Sequence, residues 1–213
     1  MLETRPLAIA DLVEIRPRRF ADDRGFFVES WNRATWAEAG IDLDFVQDNH
    51  SLSRDRGVLR GLHYQVDPAA QQKLVRVTRG SVYDVAVDLR QGSPTFRKWA
   101  SLILSAETGN QLLIPCGFAH GFVTLEPDTE VQYKVTAAYS PAHERTIRFD
   151  DPELAIEWPI APARELCVRS CEYQACVPPP RASRRRWCRV RPAPRADPAA
   201  AGGVQQTGRA SPG

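Results

Sequence analysis

Short stretches in which apolar and polar residues alternate recur from residue 10 to residue 160, and Gly, Pro, Asp or Asn separates them. Successive side chains of a strand point to opposite faces, so a period of two is typical of half-buried β-strands. Many short strands at nearly regular spacing predict an all-β sandwich or jelly-roll barrel. The predicted strands include residues 12–15, 25–30, 58–64, 100–104, 111–114, 121–125, 130–136 and 145–149.

Residues 73–89 show this alternation best, because two apolar-alternating runs flank the sequence Arg79-Gly80-Ser81. A tight turn between two such runs predicts a β-hairpin. Residues 33–39 have a helical composition, and the Gly that follows them suits the C-terminal cap of a helix. The sequence therefore predicts a short helix in an otherwise β fold.

The composition changes sharply after residue 166. Residues 167–213 contain nine Arg, two acidic residues and seven of the 17 Pro, a formal charge of +7, whereas residues 1–166 carry −5. A segment with this composition and no apolar periodicity cannot supply a packed core. We therefore predict one domain over residues 1–166 and a disordered tail over residues 167–213. Alternative interpretations of the tail are an arm that binds nucleic acid through phosphate contacts and translation in a shifted reading frame.

The cysteines and the hydropathy pattern limit the class of protein further. Cys116 is the one Cys of five that precedes residue 167, so disulfides cannot hold the main fold. Cys167, Cys171, Cys176 and Cys188 lack the paired C-x2-C spacing of a zinc knuckle. No run approaches the roughly 20 apolar residues that cross a bilayer, and the N-terminus has no apolar signal-peptide core. We expect a soluble cytoplasmic protein whose core is held together by burial.

Residues 109–120 have the pattern G-x5-P-x-G-x2-H, which predicts a sharp turn followed by a strand that carries His120 inward. This pattern matches the second half of the metal-binding signature of cupins, a class of jelly-roll proteins. The first half of that signature needs a His-x-His pair and a Glu, whereas residues 60–65 contain the single His63. A metal-dependent cupin oxygenase or isomerase using His63, Gln65 and His120 is an alternative, but its metal-ligand set is incomplete.

Several titratable side chains are expected to meet inside the barrel, because His63, Lys73, His120 and Tyr133 lie on different predicted strands. A buried His is more often a satisfied core residue than a catalyst, but convergence of several such groups favours acid/base chemistry. A His as base, a Lys beside a developing oxyanion and a Tyr as acid from the other face suit proton abstraction next to a carbonyl.

Seven blocks occur in order: FxxxRGFFxES at residues 20–30, VQDNHS at 46–51, VLRGLH at 58–63, QKLVR at 72–76, SPTF at 93–96, IPxGFAHGF at 114–122 and DPxxxxEWP at 151–159. Together they resemble the dTDP-4-dehydrorhamnose 3,5-epimerase family over roughly residues 5 to 166. The resemblance implies a cupin-type double-stranded β-helix that uses no metal and no cofactor. It also implies a homodimer without a nucleic-acid or membrane partner.

The implied substrate is a dTDP-4-keto-6-deoxy sugar nucleotide, and the implied product is dTDP-4-dehydro-L-rhamnose. The C4 ketone acidifies the protons on C3 and C5, so a base can remove each one and an acid can return a proton to the opposite face. By its position in the blocks, His63 resembles the base, Tyr133 the acid and Lys73 the group that steadies the enolate oxygen. Relatives in antibiotic deoxysugar pathways that epimerise C3 alone or C5 alone are an alternative.

The resemblance also implies a substrate-binding set. Arg24 and Arg60 resemble ligands of the diphosphate and the sugar, which suits the planar guanidinium group. The aromatic surface for the thymine ring is implied to be Phe20, Phe27 and Tyr139, and the implied polar contacts to nucleotide or sugar are Glu29, Gln47, Asn49, His120 and Glu144. In this family the N-terminal strands cross to the partner, so Arg24 and Glu29 are expected to reach the partner's site.

The chain departs from the family after residue 166. The family has a Lys-Asp pair whose Asp polarises the catalytic His, and the aligned positions here are Arg169 and Ser170. Arg169 keeps the cation and is counted with the binding residues, but Ser170 cannot supply a negative charge. If the tail is genuine, we expect reduced activity unless Asp84 or another inward acid takes this role. A catalytically silent protein that binds sugar nucleotides is the resulting alternative.

Overall fold

The computed structural model describes residues 2–162 together with the backbone of residues 164 and 165. Strands dominate this part of the chain, and none of its helices is long and apolar enough to cross a membrane. The elements are β1 (Glu3–Pro6), β2 (Val13–Arg16), β3 (Arg19–Asp22), β4 (Gly25–Val28), α1 (Arg33–Glu38), β5 (Gln47–Ser53), β6 (Val58–Gln65), β7 (Lys73–Arg79), β8 (Ser81–Asp88), β9 (Trp99–Ser105), β10 (Gln111–Ile114), β11 (Phe118–Thr124), β12 (Thr129–Val135), β13 (Glu144–Thr146) and β14 (Arg164–Glu165).

Two antiparallel sheets form a sandwich, which confirms the predicted all-β, jelly-roll class. The first sheet has the strand order β1-β2-β10-β7-β12-β5, and the second has the order β13-β6-β11-β8-β9. β14 adds to β6 in parallel, and β3 and β4 form a separate hairpin. Neighbours in both sheets are mostly distant in sequence, as expected when strands alternate between two sheets.

The main apolar core lies between the sheets. Side chains of β7, β10 and β12 in the first sheet meet side chains of β8, β9 and β11 in the second. Each fully buried aliphatic or Phe side chain contributes about 1.5–3 kcal/mol relative to leaving it exposed. The residues of this core include Val75, Val77, Leu112, Ile114 and Val131 from the first sheet and Val82, Ala86, Leu104, Phe118 and Phe122 from the second.

The outer faces of both sheets are covered as well. Trp36 of α1 and Ile41 just after it pack over Leu74 on the first sheet. Ile147 and Leu154, from the chain after β13, pack on the outer face of the second sheet. This burial on both faces explains why β11 is buried along its whole length rather than at every second residue.

The chain passes from the first sheet to the second between β7 and β8, so the hairpin predicted for residues 73–89 is wrong. β7 pairs with β10 and β12, whereas β8 pairs with β9 and β11. Gly80 joins the two strands at φ 73°, in the left-handed region that favours glycine. Alternation shows which face of a strand is buried but not which strand it pairs with, so the two connections look alike in the sequence.

The helix and the eight predicted strands that lie outside this connection each match an observed element. α1 begins after Asn32, whose side chain accepts hydrogen bonds from the backbone N–H groups of Ala34 and Thr35. Gly40, with φ 86°, follows the helix as predicted. β1, β3, β5 and β14 were not predicted. β5 carries the polar residues Gln, Asn and Ser at alternate positions, so it lacks the apolar alternation on which strand prediction depends.

β6 and β11 approach each other closely at two glycines. The register between them shifts next to Gly121, and a Cβ atom added to Gly61 would lie 2.4 Å from the Cα atom of Gly121. Gly61 also has φ 123°, a backbone conformation that residues with a side chain rarely adopt. This close approach sets His63 directly opposite His120 in the ladder.

We predict that Gly61→Ala lowers the free energy of unfolding by about 1–3 kcal/mol more than Gly25→Ala does. Both glycines have nearly the same φ, 123° and 127°, but a Cβ atom at Gly25 meets nothing within 4 Å. The difference therefore isolates the clash between β6 and β11. Urea unfolding followed by tryptophan fluorescence measures it, and equal losses in the two variants would contradict the close approach.

Candidate active site

Polar side chains from both sheets meet at one end of the sandwich interior. His63 on β6 and His120 on β11 face each other across the second sheet. Lys73 pairs with Val135 and Tyr133 pairs with Val75, so Lys73 and Tyr133 are diagonal neighbours on one face of the first sheet. Tyr133 packs against the main core, which identifies that face as the inner one. The structure thus brings together the four titratable residues that the sequence singled out.

Lys73 connects the two sheets. Its Nζ atom donates a hydrogen bond to the backbone carbonyl of His63 at 3.2 Å, and only 8% of the residue is exposed. Burial lowers the pKa of Lys73 to about 8, although the negative charges of Asp84 and Glu144 oppose this effect. Lys73 is therefore a cation at neutral pH that loses its charge at mildly alkaline pH.

His63 is half-buried, and its Nδ1 atom faces β13. This atom lies 3.3 Å from Oγ1 of Thr146 and 3.6 Å from Oε1 of Glu144. Burial lowers the pKa of His63, the charges of Lys73 and His120 lower it further, and the Glu144 carboxylate raises it. The lowered pKa favours the neutral imidazole, which is the form that can accept a proton.

His120 is held by a buried carboxylate. Its Nε2 atom lies 2.9 Å from both side-chain oxygens of Asp84, whose exposure is 0%. The structure therefore places Asp84 against His120, and Glu144 rather than Asp84 against His63. Asp84 was considered in the sequence only as a substitute partner of His63. Its position in the middle of the run VYDVAV was a signal that it has an inward-facing partner.

Tyr133 is the candidate acid of the site. Burial raises the pKa of its phenol, the Arg60 cation lowers that pKa, and the Glu144 carboxylate raises it. The phenol is thus protonated at neutral pH and can donate a proton. Arg60 itself connects β6 to β5, because its Nε atom donates to Oγ of Ser53 at 3.0 Å and its Nη2 atom donates to the carbonyl of Leu52 at 3.1 Å.

Four of the predicted binding residues form one connected group. Nε2 of Gln47 donates to Oδ1 of Asn49 at 2.7 Å, and Oε1 of Gln47 accepts from the backbone N–H of Tyr139 at 2.9 Å. The Tyr139 hydroxyl donates to Oε2 of Glu144 at 2.8 Å. This group runs from β5 to β13 and reaches His63 through Glu144.

The N-terminal binding residues lie apart from this group. Phe20 and Phe27 face each other on the β3–β4 hairpin and are 52% and 69% exposed. Arg24 is ion-paired with Asp22 in the same hairpin, and Glu29 accepts a hydrogen bond from Asn32.

In the part of the chain that the structure describes, no side-chain hydrogen bond or ion pair joins Arg24 or Glu29 to His63, Lys73 or Tyr133. Arg169 and Ser170 lie outside the described residues, as do the four cysteines of the tail. The predicted disorder of the tail concerns this same segment. Thr146 was missed in the sequence, where a single Thr between Arg145 and Ile147 carries no distinguishing signal.

The donor set of a metal-dependent cupin does not form. Among residues 2–162, no three His, Cys, Asp or Glu side chains gather as a metal-binding group. Nε2 of Gln65 donates to the backbone carbonyls of Ala69 and Ala138, so it turns away from the two histidines of the proposed metal set. Nε2 of His120 is occupied by Asp84. The residues present fit acid/base chemistry better than metal binding.

Comparison with known proteins agrees with the blocks found in the sequence. A family model described as dTDP-4-dehydrorhamnose 3,5-epimerase matches residues 6–174. The dTDP-4-dehydrorhamnose 3,5-epimerase of Pseudomonas aeruginosa is 58% identical over 170 residues, which cover 79% of this chain and 93% of the relative.

Solved structures show the same fold. An epimerase from Legionella pneumophila, solved in complex with dTDP-4-keto-L-rhamnose, has a TM-score of 0.72 and 48% identity and covers 76% of this chain and 85% of its own. ChmJ, a 3'-monoepimerase from Streptomyces bikiniensis solved with dTDP-quinovose, has a TM-score of 0.68 and 34% identity. The match covers 73% of this chain and 78% of ChmJ. The family model, the sequence relatives and these structures together show that this chain belongs to the dTDP-4-dehydrorhamnose 3,5-epimerase family.

Proposed function

We propose that this chain converts dTDP-4-dehydro-6-deoxy-D-glucose into dTDP-4-dehydro-L-rhamnose by epimerisation at C3 and C5, a step of deoxysugar biosynthesis. Membership of the family over residues 6–174 supports the substrate and the reaction. The observation that carries the mechanism is the meeting of His63, Lys73 and Tyr133 at one end of the sandwich interior. The directions of their pKa shifts fit a base, a cation and an acid.

The first half of each epimerisation is proton removal. The C4 carbonyl acidifies the hydrogens on C3 and C5, and neutral His63 takes one of them. The C–H electron pair then moves into the ring, and the C4 oxygen becomes an enolate oxygen. The Lys73 ammonium stabilises this negative charge, and burial makes its charge more effective than it would be in water.

The second half is proton return from the opposite face. The Tyr133 phenol gives its proton to the carbon, the electron pair returns from the enolate, and the C4 carbonyl is restored. The stereocentre is inverted while the composition of the sugar is unchanged. Before the next epimerisation the His63 imidazolium loses its proton to solvent and the Tyr133 phenolate takes one up from it. A raised phenol pKa keeps this proton in place until the enolate has formed.

The connected polar group provides the proposed binding surface. Arg60 and His120 are the candidate contacts to sugar and diphosphate, and the residues proposed to hold the nucleotide side are Gln47, Asn49, Tyr139 and Glu144. Arg169 is proposed as a further substrate contact. We propose that residues 1–166 form the domain, so Arg169 lies just after it. The domain itself is proposed to act in the cytoplasm.

The exposed β3–β4 hairpin supports a homodimer. Phe20, Phe26 and Phe27 are 52%, 58% and 69% exposed, an unusual density of apolar rings on two short strands. A second copy of the chain would cover this hairpin, and Phe20 and Phe27 are proposed to receive the thymine ring there. Arg24 and Glu29 would then serve the partner's pocket rather than their own.

A C3-only epimerase is the second candidate. The similarity to the 3'-monoepimerase ChmJ favours it, because that protein shares the fold at 34% identity. The two candidates use the same proton chemistry and differ in whether C5 also exchanges its hydrogen.

We predict that His63→Asn lowers the rate of hydrogen exchange at C3 and C5 by about 10²- to 10⁴-fold, the usual contribution of a general base. The protein is incubated with dTDP-4-keto-6-deoxy-D-glucose in deuterated water, and label is followed by NMR. His50→Asn is the matched control, because His50 lies on the surface and pairs with Glu130. Label at both carbons supports the 3,5-epimerase, and label at C3 alone supports the second candidate. Undiminished exchange in His63→Asn would refute both.

We also predict that activity falls as the pH rises through about 8, because the lowered pKa of Lys73 removes the stabilising ammonium there. Tyr133 cannot cause this loss, since its pKa is raised above the usual value of 10.0. Lys73→Arg keeps a cation at higher pH and should move the alkaline limb of the pH–rate profile to higher pH. Lys134→Arg, on a surface lysine paired with Asp48, should leave the limb unchanged. If the alkaline limb of Lys73→Arg lies at the same pH as in the wild type, the limb reports the titration of another group.

A further inference from the structure

Glu144 is fixed beside His63 by the pairing of β13 with β6. Glu144 pairs with Gln65, and Thr146 pairs with His63 itself. The turn that leads into β13 is also anchored, because the backbone N–H of Ser140 donates to Oε1 of Gln65 at 2.7 Å. The distance between the carboxylate and the imidazole is thus set by the sheet rather than by a flexible loop.

The two carboxylate oxygens of Glu144 have different partners. Oε2 accepts the hydrogen bond from the Tyr139 hydroxyl at 2.8 Å, and Oε1 faces Nδ1 of His63 at 3.6 Å. Oγ1 of Thr146 lies 3.3 Å from the same Nδ1 atom. A phenol therefore orients the carboxylate, and the carboxylate and a hydroxyl together face one edge of the imidazole.

The charge of Glu144 acts on the whole site. The carboxylate raises the pKa of four side chains: His63, Lys73, Tyr133 and Tyr139. Asp84, the other carboxylate of the pocket, is already paired with His120. Among the residues that the structure describes, Glu144 is the acid whose carboxylate lies near a ring nitrogen of His63, at 3.6 Å from Nδ1.

We infer that Glu144 is a positioning residue for the reaction: it orients His63 through Nδ1 and stabilises the imidazolium that forms when His63 takes the substrate proton. Thr146 assists by facing the same ring nitrogen. The Nδ1 edge is then directed to β13, and Nε2 is left as the atom that accepts the proton. This inference rests on the proposed function and adds a role for Glu144 beyond a contact to the substrate.

The test is the pH dependence of kcat/KM in Glu144→Gln. The carboxylate favours the imidazolium, so its removal lowers the pKa of His63 and moves the acid limb of the profile to lower pH. The other titratable groups that face His63 are Lys73 and His120. Both lower the pKa of His63, the direction opposite to that of Glu144. We expect kcat to fall about 10- to 100-fold, the cost typical of losing a carboxylate that orients a metal-binding histidine, with a smaller change in KM.

Two further variants sharpen the result. Glu144→Asp keeps the charge and should retain the wild-type acid limb with an intermediate kcat. Glu130→Gln removes a carboxylate from a second His–Glu pair, His50 and Glu130 at 3.0 Å on the surface, and should leave kcat and the limb unchanged.

Other outcomes would overturn the inference. An unchanged acid limb with a raised KM in Glu144→Gln would make Glu144 a substrate contact only. If Glu144→Gln fails to fold, Tyr139→Phe tests the same point, because it releases Oε2 and should shift the limb in the same direction by a smaller amount. Failure of the proposed function is separate, since it would appear as undiminished exchange in His63→Asn whatever Glu144→Gln does.

Discussion

Burial of the Lys73 ammonium is the constraint on which the polar end of the molecule depends. An ammonium removed from water costs several kcal/mol unless hydrogen bonds and opposite charges compensate. Here the compensation comes from the His63 carbonyl, at 3.2 Å, and from the charges of Asp84 and Glu144. These groups belong to β6, β8 and β13, so the buried cation of the first sheet is compensated by three strands of the second sheet: by a hydrogen bond to β6 and by the charges of acids on β8 and β13.

The interior is divided between two kinds of packing. The apolar core occupies the region between β7, β10 and β12 on one side and β8, β9 and β11 on the other. The polar groups lie toward β5, β6 and β13, where the sheets end in edge strands. Arg60 ties β6 to β5 there, and Gln47 contacts the backbone that leads toward β13. The rigid apolar half thus supports a polar half that is open at the sheet edge.

The sequence predicted the fold class, the short helix and most strands, because these depend on local alternation and turn residues. It could not predict the pairing of β7 and β8, since alternation is the same in a hairpin and in a connection between sheets. β5 was missed because its inward positions, such as Gln47 and Asn49, are polar. The candidate base, acid and cation were proposed from their residue types and the family blocks. Their neighbours Thr146 and Asp84 required the three-dimensional register.

The connection at Gly80 also bears on how the protein folds. Because β7 and β8 do not pair with each other, β7 cannot join a ladder until β10 and β12 have been made, whereas β8 has the next strand, β9, as one of its partners. Topologies dominated by such distant pairings fold slowly, since loop-closure entropy is lost before the contacts compensate for it. His63, Lys73 and His120 lie on β6, β7 and β11, so they come together only when both sheets have formed and packed. Until the two sheets pack, the candidate base on the second sheet and the cation on the first are therefore separate, and the assembled site is a property of the complete sandwich.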